Sequence, residues 1–142
     1  MLNKYALNIP ADISKLEEVL LWLKKDMSSF GVSEKGQFNM IMAAEEIFSN
    51  IVSYAYAQKE NATVEIITEK CDDMYTATFI DSGKKFNPIE QKNPDITGKL
   101  SDRQIGGLGV FLAKKVSDMM TYKYEDGHNI LKIGIYIKNP SQ

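Results

Sequence analysis

Cysteine is almost missing from this chain of 142 residues: Cys71 stands alone, so no internal disulfide can form, and a reducing, cytoplasmic setting is expected. Histidine is as scarce. The lone His128 follows Asp126-Gly127 and is expected at a hairpin mouth, with no set of zinc ligands around it. Neither sign of charge is in excess, since 17 Lys and Arg face 19 Asp and Glu for a net charge of -2. No overall basic field exists for phosphate backbones or anionic membranes, and direct nucleic-acid binding is not expected. Long apolar runs are absent as well. A membrane span needs ~20 predominantly apolar residues, whereas Val19 to Leu23 is bounded at once by Glu17, Glu18, Lys24 and Lys25. The opening Met1-Leu2-Asn3-Lys4-Tyr5 has neither the apolar core nor the cleavage site of a secretory signal. There are no repeats and no low-complexity tracts. With 44% hydrophobic and 25% charged residues, the composition fits one globular domain over residues 1–142.

What is present is clear periodicity. Lys4 to Ile9 reads as a short strand. Leu16, Val19, Leu20, Leu23, Met27 and Phe30 recur on one helical face, with a Ser14 and Glu17 capping box at its start and Gly31 at its end. Ser33 caps a second helix that runs to about Tyr56 and offers Phe38, Ile41, Met42, Phe48 and Val52 for burial. Thr63 to Glu69 and Met74 to Ile80 alternate as strands around an Asp72-Asp73 turn. From Gly83 to Gly107 the chain is polar and rich in turn signals, a length that in a compact domain marks a functional or mobile segment, here expected to close as a lid. A helix over Leu108 to Val116, a strand at Met120 to Glu125, an Asp126-Gly127 turn and a strand over Ile130 to Ile137 complete the pattern. The sum is an α+β two-layer sandwich, a mixed, mostly antiparallel sheet with helices on one face.

Three short motifs carry chemistry. Glu46 and Asn50 are one helical turn apart and share a face. The Asn50 amide oxygen suits a hard Mg²⁺ that also keeps phosphate oxygens and waters, and the Glu46 carboxylate suits proton abstraction from an attacking hydroxyl. Asp81-Ser82-Gly83 closes a strand, where a carboxylate accepts from an exocyclic amino group and thereby selects adenine, while Gly83 admits a base without an intervening Cβ. Gly106-Gly107-Leu108-Gly109 precedes a helix, whose first N–H groups bind phosphate oxygens. Taken singly, the first motif also fits a solvated helix face, the second a polar turn and the third a flexible hinge. No Gly-Lys-Ser/Thr follows the glycines and no His-Arg-Asp occurs, so neither a Walker A loop nor a protein-kinase catalytic loop is present.

In this order the motifs resemble the N, G1 and G2 boxes of the GHKL ATPases, most closely the small anti-sigma-factor serine kinases of the RsbW and SpoIIAB type. The stretch Asp81-Ser82-Gly83-Lys84-Lys85-Phe86-Asn87-Pro88 is similar to that family's Asp-x-Gly-x-x-Phe-x-Pro, with Asn87 where Asp is usual, and Tyr54 stands where the family often has His. The resemblance implies a Bergerat-type ATP-binding fold, with ATP and Mg²⁺ as cofactors and Glu46 as catalytic base. It implies Asn50 as the Mg²⁺ ligand, and Asp81, Gly83, Phe86, Gly106, Gly107, Leu108 and Gly109 around the nucleotide. Arg103, at the border of the phosphate lid, is implied at the γ-phosphate, although it also fits a solvated surface. The implied activity is phosphorylation of serine on a small anti-anti-sigma protein of the STAS type. With it comes sequestration of a sigma factor or similar regulator by partner switching, in the cytoplasm, away from membranes, with a homodimer allowed. Two other readings stay open: a nucleotide-dependent binding module without useful phosphotransfer, and the catalytic module of a histidine kinase. The second lacks a phosphoacceptor His on a helix.

Overall fold

Left-handed backbone marks both tight turns of the sheet. A computed structural model describes residues 3–56, 61–90 and 107–138. Strands β2 (Thr63–Cys71) and β3 (Met74–Asp81) join across Asp72-Asp73, with Asp72 at φ 55°. Strands β4 (Met119–Glu125) and β5 (His128–Tyr136) join across Asp126 and Gly127, at φ 51° and 78°. Asp tolerates and Gly favours this conformation, and two such residues in succession give the turn whose twist suits a hairpin. Strand β1 (Lys4–Pro10) pairs with β2, Ile9 lying opposite Val64, and ends the sheet with a proline that needs no ladder partner.

The strand order is β1-β2-β3-β5-β4, and every pairing is antiparallel. The α+β class therefore holds, and the sheet is antiparallel throughout its described strands rather than mixed. The reason lies in which strand of the last hairpin docks. Had β4 settled beside β3, the intervening helix would have made a parallel crossover; β5 takes that place instead, one reversal later.

The Asp12 carboxylate opens the helical layer by accepting from Ser14 N–H at 2.9 Å and starting a 3₁₀ turn (Ile13–Lys15) that runs straight into α1 (Leu16–Ser29). The expected Ser14 and Glu17 capping box is not formed, because that turn already leads the chain into the helix. Val19, Leu23 and Met27 are wholly buried. Gly31, at φ 75°, ends α1 in a Schellman arrangement, with Val32 N–H on Met27 O and Gly31 N–H on Ser28 O, both at 3.1 Å. Ser33 caps α2 (Glu34–Asn50) through Gly36 N–H at 3.1 Å, as its position predicts.

The buried stripe of α2 is Met40, Ala43, Ala44, Ile47 and Phe48. Phe38, expected inside, is 64% exposed. Two residues before Met40, it sits about 200° around the helix from the stripe. Ile41, Met42 and Val52 lie at the margin, half-buried. α2 packs against α1, α3 (Gly107–Val116) and β5, over a sheet face formed by Val64, Ile66, Ala77, Phe79, Leu131, Ile133 and Ile135. Tyr75 crosses between the layers, its hydroxyl donating to the Asp26 carboxylate of α1 at 2.6 Å. Burial, then that carboxylate, push the Tyr75 hydroxyl far above its ordinary value, so it stays a donor. No described helix is long and apolar enough to cross a membrane.

Candidate functional site

The regular hydrogen bonding of α2 stops at Asn50, where sequence periodicity predicts continuation to about Tyr56. Ile51–Ala55 forms a π turn instead, and Tyr56 N–H returns to Ile51 O at 3.0 Å. The wider turn presents the Ala55 carbonyl to the segment after β3, where Lys84 N–H donates to it at 2.9 Å. A Cβ on Gly83 would stand 2.3 Å from that same oxygen. The requirement for glycine at this position therefore comes from the end of α2. This adds to the close approach of a base that the sequence alone suggests. Tyr56 ties the junction down, its hydroxyl donating to Thr63 O at 3.0 Å and accepting from Ser82 N–H.

Between the end of α2 and the ends of β3 and β5 lies a cleft lined by Ile47, Ile51, Ala55, Phe86, Pro88 and Leu131, with Asn50, Asp81, Tyr122 and Asn129 as its polar groups. An apolar slot holding a few convergent polar groups is the usual form of a small-molecule site. Asp81 is 4% exposed. Its Oδ1 accepts from Asn129 Nδ2 at 2.9 Å and Gly83 N–H at 3.0 Å. No described residue donates to Oδ2. Burial pushes the Asp81 carboxyl up, while the bonds from Asn129 and Gly83 and the charge of His128 act the other way. Phe86 lines the same cleft, its N–H donating to Asn129 Oδ1 at 3.1 Å.

Asn50 reaches the cleft from the opposite wall, 6% exposed, and its Nδ2 has no hydrogen-bond partner among the described residues. A buried amide nitrogen left unpaired costs about 1–3 kcal/mol. A half-turn of the amide exchanges nitrogen for oxygen. Asn50 can thus offer a donor to a phosphate oxygen or an acceptor to a cation that shares those oxygens, so this residue fits a Mg²⁺ carried by a nucleotide. Among the described residues no group of three or more His, Cys, Asp or Glu side chains forms a metal site on its own. Glu46, one turn earlier on α2, is half-exposed and outside the lining of the cleft. Burial first, and the neighbouring Glu45 second, hold its carboxyl above the ordinary value.

Structure and sequence thus bring Asn50, Asp81 and Phe86 together, with Gly83 supporting them from behind. Gly107 is the first residue of α3, with Leu108 and Gly109 in its first turn, one residue earlier than the pattern predicts. Arg103, Gly106 and most of the expected lid, residues 91–106, lie outside the described residues. The described start of that segment is anchored: Ile89 N–H donates to Asn87 Oδ1 at 2.9 Å, and Lys114 of α3 donates to Ile89 O. Sequence reasoning missed Asn129, Tyr122 and Tyr56. A polar residue at an inward position of β5, between the turn and Leu131, is the one signal that could have found Asn129.

A family model for the histidine kinase-like ATPase domain matches residues 9–135. The serine/threonine-protein kinase BtrW of Bordetella bronchiseptica is 25% identical over 116 residues, 82% of this chain and 82% of BtrW. The serine-protein kinase RsbW of Listeria monocytogenes is 24% identical over 135 residues, 92% of this chain and 86% of RsbW. Among solved structures, that of the RsbU and RsbW domains of a Mycobacterium tuberculosis protein superposes with a TM-score of 0.69 at 14% identity. It covers 96% of this chain, which spans only 33% of that longer one. The family model, over residues 9–135, takes in the sheet, the helical layer and both walls of the cleft: the chain belongs to the histidine kinase-like ATPase domain family.

Proposed function

We propose that this chain is an ATP-dependent protein serine kinase that acts as an anti-sigma factor. It would phosphorylate a small STAS-type anti-anti-sigma protein and hold a sigma factor or comparable regulator through partner switching. The observation that carries the reading is the meeting of buried Asp81 and buried Asn50 in one cleft, with Glu46 a single turn before Asn50. The kinase names of BtrW and RsbW support the reaction class. The antagonist, the sigma factor, a homodimer, a cytoplasmic location and the action of residues 1–142 as one ATPase domain follow from the motif resemblance.

In this reading Asp81 Oδ2 accepts the amino hydrogen of adenine, and Phe86 packs against the nucleotide from the segment after β3. Asn50 would hold Mg²⁺ together with the phosphates it carries. Bound there, Mg²⁺ would offset phosphate charge, as in other phosphoryl transfers. The N–H groups of Gly107, Leu108 and Gly109 open α3 without intrahelical partners and receive phosphate oxygens, with Gly106 just before them and Arg103 on the γ-phosphate. Glu46, whose hold on a proton is strengthened by burial and by Glu45, takes the proton of the serine hydroxyl. Most of the acceleration then comes from placement and charge.

The test uses proteins captured from the native cell with and without Mg-ATP, then labelled with radioactive ATP. An acid-stable, base-labile label on a captured protein is the expected outcome. An acid-labile label indicates phosphohistidine and a histidine-kinase role. Bound ATP with no transferred label indicates a binding module.

A further inference from the structure

Asn129 belongs to none of the three motifs, yet its amide is used to capacity. Oδ1 accepts from Phe86 N–H at 3.1 Å and from the Tyr122 hydroxyl at 2.6 Å; Nδ2 donates to Asp81 Oδ1 and to Lys84 O, both at 2.9 Å. An amide has two lone pairs to accept with and two hydrogens to donate, and each is engaged. The partners also dictate which way the amide faces, because Phe86 N–H can only donate and Lys84 O can only accept. The side chain is 4% exposed and lines the cleft beside Asp81.

This arrangement constrains Asp81 more than β3 alone could. Free rotation about the terminal torsion of an Asp would offer either oxygen to a ligand. With Asn129 and Gly83 both on Oδ1, the second oxygen is the carboxylate's remaining acceptor. Through Lys84 O and Phe86 N–H the same amide fixes the backbone that carries Phe86.

We propose that Asn129 is the positioning residue that sets base selectivity, locking the Asp81 carboxylate so that one oxygen faces the cleft as an acceptor, matched to an amino group and mismatched to the carbonyl of guanine. The proposal rests on the adenine-nucleotide reading above. A general stabilising role for Asn129 would weaken every nucleotide alike. A positioning role weakens most those whose base carries the amino group.

The experiment is a cycle between protein and base. Calorimetry compares ATP, GTP and purine riboside triphosphate, which is ATP without the amino group, on the wild type, Asn129→Val and Asn129→Thr. Val and Thr suit a strand and have nearly one shape, but Thr keeps a hydroxyl able to donate to Asp81. The wild type should prefer ATP over the amino-less analogue by about tenfold or more, the scale of one mismatched hydrogen bond. Asn129→Val should bring that ratio, and the preference over GTP, close to one, while Asn129→Thr restores part of both. A wild-type ratio retained by Asn129→Val overturns the proposal and leaves adenine binding standing. A wild type indifferent to the amino group overturns both. Should Asn129→Val not fold, Tyr122→Phe removes one donor to Oδ1 and keeps the ring; a smaller fall in the same ratio is expected, and an unchanged ratio overturns the proposal.

Discussion

The two walls of the cleft are built on opposite plans. At the strand wall, Asn129, Tyr122 and the backbone of Gly83, Lys84 and Phe86 fix one another and one oxygen of Asp81 before any ligand arrives, leaving its Oδ2 to face the cleft. At the helix wall, Asn50 keeps an unpartnered nitrogen in a buried position, and Glu46 one turn away carries a raised proton affinity. The paired wall is preorganised, which lowers the cost of binding a base of one shape. The unpaired wall leaves an amide hydrogen that an acceptor on a ligand can satisfy, as is common at functional sites. Substitutions should therefore divide by wall. Loss on the strand side changes which nucleotide binds, and loss on the helix side changes metal binding and phosphate transfer.

The largest effect should come from Glu46→Gln, which keeps shape and removes the base. Phosphate transfer should fall by ~10²–10⁴-fold, the usual contribution of a positioned base. Mg-ATP affinity, measured by calorimetry, should stay near wild type. In the wild type the acid limb of the transfer rate should lie above 4.5, because burial and Glu45 favour the protonated carboxyl and only the ionised form accepts. Wild-type transfer by Glu46→Gln would end its role as base.

On the other wall, Asp81→Asn should weaken ATP binding by ~1–3 kcal/mol, since an amide hydrogen then faces the amino group of adenine. Stability should move the opposite way. Burial raises the Asp81 carboxyl in the folded chain, so the protonated form is the one the fold favours. The nucleotide-free protein therefore loses stability as pH climbs from the unfolded value near 3.8 through the raised folded value, and the loss persists at neutral pH. Asp81→Asn, which keeps an oxygen for Asn129 and Gly83, should show a higher melting temperature at neutral pH and no such pH component. A lower melting temperature would mean that the strand wall needs the charge.

The smallest change should appear in the stability of Asn50→Leu. Replacing a buried, unpartnered amide by an apolar group of similar volume removes a desolvated polar atom. The nucleotide-free protein should thus be unchanged or more stable by up to about 1 kcal/mol. Mg-ATP binding should weaken all the same. If denaturant titration instead shows a loss of several kcal/mol, the amide is a structural group and the contrast between the walls disappears.

Much of this architecture was legible along the chain because its causes are local. The Asp126-Gly127 turn needs left-handed backbone, and those residues accept it. Glu46 and Asn50 share a face because four residues make slightly more than one helical turn. The caps at Ser33 and Gly31 are chemistry within a few residues. Other features were decided where two local rules competed or where a distant neighbour intervened. Phe38 reads as a core residue by hydrophobicity, but the stripe through Met40, Ala43 and Ile47 decides which side of α2 turns inward. Ser14 and Glu17 have the spacing of a capping box, yet Asp12 had already started the turn. The glycine at 83 was found for its place in a motif, and the carbonyl that demands it belongs to Ala55.

By itself, then, the amino-acid sequence determined the elements, their order and the carboxylates and amides available for chemistry, since hydrophobic period, turn preference and capping act over a handful of residues. The docking of β5 rather than β4 on β3, the π turn after Asn50 and the bond from Asn129 to Asp81 across 48 residues were decided only in the tertiary structure. Those features depend on which surfaces exclude water together and on where buried polar groups find partners. Such conditions are met by the folded chain as a whole, and no single segment records them.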